Sequence, residues 1–346
     1  MKKALILLVV VLAILGIAQC SLRLPAVQDA LLSRGVGAMA QSASAEFKVS
    51  QGLQVYVCGS ASPLGAGQAQ ACIAVVTPEH FYLIDTGAGS SANIASLGLP
   101  MQRLQGLLLT HFHSDHIAEI YEVNLASWVG GRPEPLTVYG PEGVDEVIEA
   151  VNFGYRRDRH YRTTHHGEDL LPAALGVLAH QTVAANTVIE NGQLKITAYA
   201  AEHPPIHPAV GYRFDYRGRS VVISGDSNVT ETTERISDGA DLLLHDALSL
   251  ETVNTLSAAL ADAGLTRRST IVNDVIDYHA STQSLIDLAT RSNVDMIAFY
   301  HLVPVPPNSI AESVFMRGTP EHFVLTKDLM WFELPAGGDD IIVHRP

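Results

Sequence analysis

Positive charge is in short supply in this chain: 22 lysines and arginines stand against 36 aspartates and glutamates, a formal net charge of −14 at pH 7 over 346 residues. A protein that neutralises phosphates tends to be basic where it touches them, so the deficit argues against a broad nucleic-acid-binding surface and points to small substrates. Cysteine is scarcer still. Cys20, Cys58 and Cys72 are the full set, and none lies near the histidine-rich segment in sequence, which argues against a zinc–thiolate site. In an oxidising compartment Cys58 and Cys72, which bracket a Gly-, Ala- and Gln-rich loop at 59–71, would form a disulfide. Closing roughly 15 residues contributes about 3 kcal/mol in the chain-entropy account. The alternative is two unpaired small core residues.

Charge is also missing from residues 4–18, an unbroken apolar run after Met1-Lys2-Lys3. That pattern is a charged n-region and an h-region of secretory length, and it implies export across a bacterial inner membrane. Ala18-Gln19-Cys20 reads as a signal peptidase site. Gln19 stands where a lipoprotein site needs a small residue before Cys20. Left uncleaved, the run together with 20–24 approaches the roughly 20 residues that span a bilayer and would anchor the chain. The expected organisation is a signal peptide or membrane anchor at 1–24, a tether with some amphipathic helix at 25–50, and one catalytic domain at 51–346 in the periplasm or on the inner membrane.

What is present is a concentration of metal ligands. Thr110-His111-Phe112-His113-Ser114-Asp115-His116 follows the apolar run Leu107-Leu108-Leu109, so three imidazoles and a carboxylate leave the end of an expected strand together. His111 and His113 can grip one ion and Asp115 and His116 a second; a histidine-rich surface loop or tag would lack the strand and the interposed aspartate. Isolated His203, Asp226 and His301 each close a later apolar stretch, and strand ends of an α/β fold converge on one edge of the sheet. Imidazole with carboxylate suits zinc, and iron or manganese as well.

The series HxHxDH, a lone His, Ser224-Gly225-Asp226 and a late His resembles the metallo-β-lactamase superfamily over roughly 52–334. The resemblance implies His111, His113 and His203 on a first metal, Asp115, His116 and His301 on a second, and Asp226 bridging them, with two divalent ions, zinc the first choice. It implies a four-layer αβ/βα sandwich. The nearer likeness is to the branch of arylsulfatases and ribonuclease Z, through His203-Pro204-Pro205, Gly211-Tyr212-Arg213, His245-Asp246-Ala247 and Tyr278-His279-Ala280-Ser281-Thr282. In that branch a histidine matching His279 protonates the leaving group, supported by a glutamate where this chain has the shorter Asp246. Otherwise His279 caps the following helix. Asp115 or Asp226 would orient a metal-bound hydroxide, two cations about 3.5 to 4 Å apart lowering the pKa of the shared water. Asp85 is expected behind the ligands, and His245 likewise under the second metal.

The tRNA arm that ribonuclease Z carries between the Gly-Tyr-Arg and Ser-Gly-Asp strands is missing; Asp215 to Arg219 make only a hairpin turn. The resulting expectation is an exported hydrolase of sulfate esters or phosphodiesters, arylsulfatase-like, acting on a small anionic ester. The alternatives are a ribonuclease Z-like phosphodiesterase or endonuclease, a lactonase or β-lactamase-type hydrolase, and a non-catalytic metal-binding protein. One basic segment runs from Arg156 to Arg162 with His165 and His166. In a helix Arg156, Arg159 and Arg162 share a face, which would meet an anionic substrate over the metals or lie solvated near a membrane. Trp128, Tyr155, Tyr161 and 303–307 are the expected cleft walls.

Apolar runs predict strands at 53–58, 73–77, 81–85, 106–110, 136–139, 195–200, 211–216, 220–224, 241–245, 296–300 and 329–334. Helices are expected at 91–97, 116–128, 143–153 and 281–291.

Overall fold

The computed structural model describes residues 3, 12, 15, 16, 19, 21–44, 47–65 and 67–346. Most of the apolar run at 4–18, and Cys20, lie outside those residues; among the described residues no helix is long and apolar enough to cross a membrane. Residues 1–48 and 49–346 are separate compact units. The first contains helix α1 (Pro25–Ser44), whose Leu31, Leu32 and Val36 are exposed.

The second unit is built on two sheets. One carries the strands β1 (Gly52–Gly59), β2 (Cys72–Val76), β3 (Phe81–Ile84), β4 (Gly106–Leu108), β5 (Thr137–Gly140) and β6 (Ala179–Thr182), with β14 (Trp331–Pro335) and β15 (Ile342–His344) in the order β15-β14-β1-β2-β3-β4-β5-β6. The other runs β13-β12-β11-β10-β9-β8-β7. Its strands are β7 (Val188–Asn191), β8 (Leu194–His203), β9 (Ile206–Tyr216), β10 (Arg219–Ile223), β11 (Leu242–Leu248), β12 (Met296–Val303) and β13 (Phe323–Leu325). In each sheet one half is parallel: β3 to β6 in the first and β10 to β13 in the second. Parallel strands are covered on both faces and therefore read as continuous apolar runs. Leu242, Leu243 and Leu244 show this, all fully buried.

The two sheets pack face to face through Val55, Val57, Ile73, Tyr82, Tyr212, Phe214, Leu244 and Phe332. The far side of the second sheet is closed by helix α10 (Thr282–Arg291) through Leu285 and Leu288 and by α11 (Ser309–Phe315) through Phe315. The remaining helices are α2 (Ser90–Ser96), α3 (Ser114–Ile117), α4 (Ile120–Val129), α5 (Val144–Gly154), α6 (Arg156–His166), α7 (Glu231–Ser237), α8 (Leu250–Asp262) and α9 (Thr266–Asp274). Helices outside and sheets inside make the αβ/βα sandwich the sequence predicts.

The single helix expected over 116–128 is two. Glu119 breaks it, because its backbone N–H donates to Thr86 O and its carboxylate accepts from Gly89 N at 2.6 Å and Ser91 N at 2.7 Å, capping α2. Cys58 and Cys72 form the disulfide, with Cα atoms 4.9 Å apart.

Candidate metal centre

The loop after β4 and the ends of β8, β10 and β12 meet at one rim, and they bring the seven expected ligands together in two groups. His111, His113, His203 and Asp226 make one; Asp115, His116, Asp226 and His301 make the other; within each group the donor atoms lie within 4.8 Å of one another. In the first, His111 Nε2 is 2.9 Å from His113 Nδ1, His203 Nε2 is 3.3 Å from His113 Nδ1, and Asp226 Oδ2 is 3.8 and 3.9 Å from His111 and His203. In the second, His116 Nε2 is 3.3 Å from Asp226 Oδ1 and 3.6 Å from Asp115 Oδ2. His301 reaches Asp115 Oδ2 with Nε2 at 3.0 Å and Asp226 Oδ1 with Nδ1 at 3.4 Å. Donors about 2.0–2.1 Å from a tetrahedrally bound zinc are roughly 3.3–3.4 Å from one another. The observed spacings bracket that edge. Each oxygen of Asp226 belongs to a different group, the geometry of a bridging carboxylate.

A second observation bears on the fit. His116 Nε2, Asp226 Oδ1 and His301 Nδ1 are buried and have no hydrogen-bond partner, although they face one another. A buried polar atom without a partner costs about 1–3 kcal/mol, so three at one point call for a shared occupant. The residues fit two divalent ions; the donor set does not distinguish zinc from manganese or iron.

Behind the ligands, one ring nitrogen of several imidazoles is already committed, which aims the other at the centre. His116 Nδ1 donates to Asp85 Oδ2 at 2.8 Å and His203 Nδ1 to Tyr278 O at 3.0 Å. Thr110 Oγ1 donates to Asp85 Oδ2 at 2.8 Å and accepts from His111 Nδ1 at 3.1 Å. Asp85 also accepts from Thr110 N at 2.8 Å. It therefore holds both the start of the loop and a ligand at its end, as expected of it, and it does so in a left-handed conformation (φ 57°). His301 is left-handed too, at φ 44°. Such backbone is retained where the surroundings over-determine it. Two glycines allow the close approach: a Cβ on Gly87 would lie 2.1 Å from Asp115 O, and one on Gly225, at φ 65°, 2.7 Å from Thr110 Cβ.

The electrostatics differ between the groups. Burial pushes His111, His113 and His203 below the ordinary imidazole value and keeps them neutral, the form a metal needs. Burial acts on His116 and His301 in the same sense, but Asp226 with Asp85, and Asp226 with Asp115, outweigh it and raise both. Burial would raise Asp226; His301 and His116 overcome it and hold the carboxyl well below its usual range.

His279 and Asp246 form a separate pair at the same rim. His279 Nδ1 donates to Asp246 Oδ2 at 2.9 Å, so the aspartate spans the distance despite its short side chain. Asp246 also accepts from Ala280 N and Ser227 N, each at 3.2 Å, while His245 Nδ1 donates to Asp246 O at 2.9 Å and lies 2.8 Å from its Oδ1. Burial pushes Asp246 up, but the hydrogen bonds from His245 and His279 prevail and lower it. His245 thus braces this pair. Ser281, not His279, caps α10 by accepting from Ser284 N at 3.0 Å.

A cleft of about 270 Å³ opens over the centre, lined by His113, Asp115, Asp226, His279 and His301, with Ser62, Pro63, Leu64, Ile271, Val275, Tyr278 and Val303 as walls. Of the expected walls only Val303 is there. Trp128 is buried and donates to Pro172 O, Tyr155 stacks on Tyr121 with ring centroids 3.7 Å apart, and Tyr161 is exposed on α6. The arginine face expected over the metals is engaged elsewhere. Arg159 is buried and donates to Asn152 O at 2.7 Å, Arg162 pairs with Asp158 at 2.7 Å, and Arg156 donates to Phe153 O at 2.6 Å. The true walls were missed because they come from the disulfide-closed loop and from α9, neither of which carries a motif.

Residues 80–301 match the family model of the beta-lactamase superfamily domain, and the chain belongs to that superfamily. With this fold and this centre it is a metal-dependent hydrolase of ester bonds. It is 30% identical over 256 residues to ribonuclease Z of Mycobacterium bovis, a match covering 73% of this chain and 86% of that one. Two solved structures share the fold. The metallo-β-lactamase fold protein YhfI of Bacillus subtilis superposes with a TM-score of 0.60 at 16% identity, over 81% of this chain and 99% of that one. The short form of human tRNase Z gives 0.55 at 17%, over 82% and 99%.

The relatives named ribonuclease Z overturn the expectation of a small anionic ester as partner in preference to nucleic acid. The physical error lies in the charge argument. A net charge summed over the surface does not describe a cleft whose positive charge is supplied by bound cations.

Proposed function

We propose that this chain is a ribonuclease Z-like phosphodiesterase that cuts RNA, the second of the hydrolase readings above. The observation that carries it is that His279, held by Asp246, lines the same cleft as the shared carboxylate. An aryl sulfate releases a phenol, whose pKa is about 10 and which departs with little help. A ribose oxygen is a far more basic leaving group and needs a proton as its bond breaks. A donor held beside the ligand cluster is therefore of more use to an RNA phosphodiester than to an aryl sulfate. The identity to ribonuclease Z over most of both chains supports the same reading.

When bound, a pair of divalent ions supplies Lewis acidity at the phosphoryl oxygens and lowers the pKa of water to near 7. His111, His113 and His203 would hold one ion, Asp115, His116 and His301 the other, with Asp226 between them. Asp115 orients the attacking water and accepts its hydrogen bond. His279, with Nδ1 committed to Asp246, offers Nε2 to the departing ribose oxygen, and the ionised Asp246 stabilises the imidazolium that donates the proton.

The test is cleavage of a 3′-extended RNA by protein assayed for metal, beside p-nitrophenyl sulfate and nitrocefin. RNA and bis-p-nitrophenyl phosphate turned over, with the sulfate inert, upholds the reading. A sulfate hydrolysed faster than either phosphodiester overturns it.

We further propose that residues 1–24 direct or anchor the protein outside the cytoplasm. The Cys58–Cys72 bridge supports this, because disulfides persist in oxidising compartments. Fractionation with thiol labelling tests it; a cytoplasmic protein with both thiols free refutes it.

A further inference from the structure

Beside the ligands and His279, the cleft is lined by an apolar group, Pro63, Leu64, Ile271, Val275 and Val303, together with Ser62, Ser114 and Tyr278, and no lysine or arginine is among the described residues that line it. Leu64, Val275, Tyr278 and Val303 pack in one cluster. Ile271 is 51% exposed although it sits at a buried centre's mouth. An exposed apolar side chain beside such a group, at the rim of a cleft with convergent polar groups, marks a ligand surface.

Both wall segments are tied to the catalytic residues. The loop bearing Leu64 is closed at its base by the Cys58–Cys72 bridge. Its tip is stitched to the segment after His301: Ser62 Oγ donates to Leu302 O at 2.7 Å, and Val305 N donates to Leu64 O at 3.1 Å. The second segment, α9, is clasped to α8 by Ser269 Oγ donating to Ser257 O at 2.8 Å and Ser257 Oγ donating to Ser269 O at 3.1 Å. α9 then runs through a turn at Val275–Asp277 directly into Tyr278 and His279. Asn228 Nδ2 pins that turn by donating to Asp277 O at 2.9 Å. The walls are thus fixed relative to the ligand His301 and the donor His279.

We propose that Leu64 and Ile271 belong to the apolar wall of a subsite that receives an uncharged ring beside the scissile phosphodiester, a nucleobase in an RNA substrate. This rests on the phosphodiesterase reading and deepens it. A cleft lined by no lysine or arginine offers a second phosphate away from the ligand cluster no cationic side chain, so it favours a diester flanked by a ring over a polyphosphate. Apolar walls reward a flat ring and are indifferent to a methyl group.

The experiment compares diphenyl phosphate with dimethyl phosphate, two diester anions of equal charge, by calorimetric titration of the metal-loaded full chain. The expected result is affinity about tenfold or more higher for the diphenyl ester, a discrimination typical of an apolar pocket. Ile271→Ser and Leu64→Ser should each abolish most of that ratio without changing dimethyl phosphate binding or metal content. Kinetics give a parallel check. Bis-p-nitrophenyl phosphate and methyl p-nitrophenyl phosphate share a leaving group, so KM for the first alone should rise in the variants, with kcat held. Equal affinity of the two anions for the unaltered protein, or an equal loss for both in Ile271→Ser, overturns the subsite. Selective binding of diphenyl phosphate by protein that cuts no diester retains the subsite and rejects the phosphodiesterase reading.

Discussion

The two halves of the ligand cluster share Asp226 and little else. The first gathers three imidazoles that burial keeps neutral, with His111 and His113 on one loop. The second sets two imidazoles against two carboxylates, and His116 and His301 are raised by them. The first half is therefore ready for a cation without giving up a proton. The second is held together in the metal-free chain by its own ion pairs, which a cation must replace. One centre thus contains a preformed site and a proton-linked one.

The largest effect should follow from removing what the halves share. Asp226→Asn takes an anionic oxygen from each group at once. Bound metal should fall from two ions to one or none, and kcat/KM on RNA by at least about 10³, the equivalent of several kcal/mol of lost charge stabilisation. Elemental analysis and kinetics on the same preparation check it. Two ions retained at full rate would show that the halves do not depend on a common carboxylate. His279→Ala removes no ligand from either half, although the His279 ring stacks on His301 with centroids 5.3 Å apart. It should lower kcat on RNA by about 10² while both ions remain. The loss should be much smaller for p-nitrophenyl esters, whose leaving group needs no proton, so a uniform loss on both substrates would place His279 in positioning instead.

The sequence made the centre more legible than its walls, for a physical reason. Ligands must sit at strand ends, and the strands that carry them are buried runs such as Val221, Val222, Ile223 and the stretch before His301, which stand out by composition. The short edge strands β6, β7, β13 and β15 went unseen. Ala179-His180-Gln181-Thr182 is partly to fully exposed and carries no apolar alternation to read. α8 and α9 were missed because they bury few side chains, Val253 and Val272 respectively, so their apolar spacing is weak. Yet α9 supplies Ile271 to the cleft. The basic segment misled for the opposite reason: three arginines at helical spacing do share a face, but that face turns toward Asn152, Phe153 and Asp158.

The smallest effect, and the sharpest test of the two halves, is their response to pH. The ordinary imidazole value is about 6.5. His111, His113 and His203 lie below it, so the first group loses affinity only as pH falls under that value. His116 and His301 lie above it, so the second group must shed protons even at higher pH, and its affinity should fall about tenfold per unit per proton displaced as pH drops through their raised values. Dialysis against a weak chelator across this window should leave one ion where two were bound. The stability of the chain carries the same signature. In the metal-free protein the raised His116 and His301 stabilise the fold fully below about 6.5, and that contribution is lost as pH rises through their folded values. The gap in Tm between metal-loaded and chelator-treated protein should therefore widen with rising pH. A gap that is flat, or that narrows, would mean that the second half binds its cation without releasing protons, and the contrast between the halves would disappear.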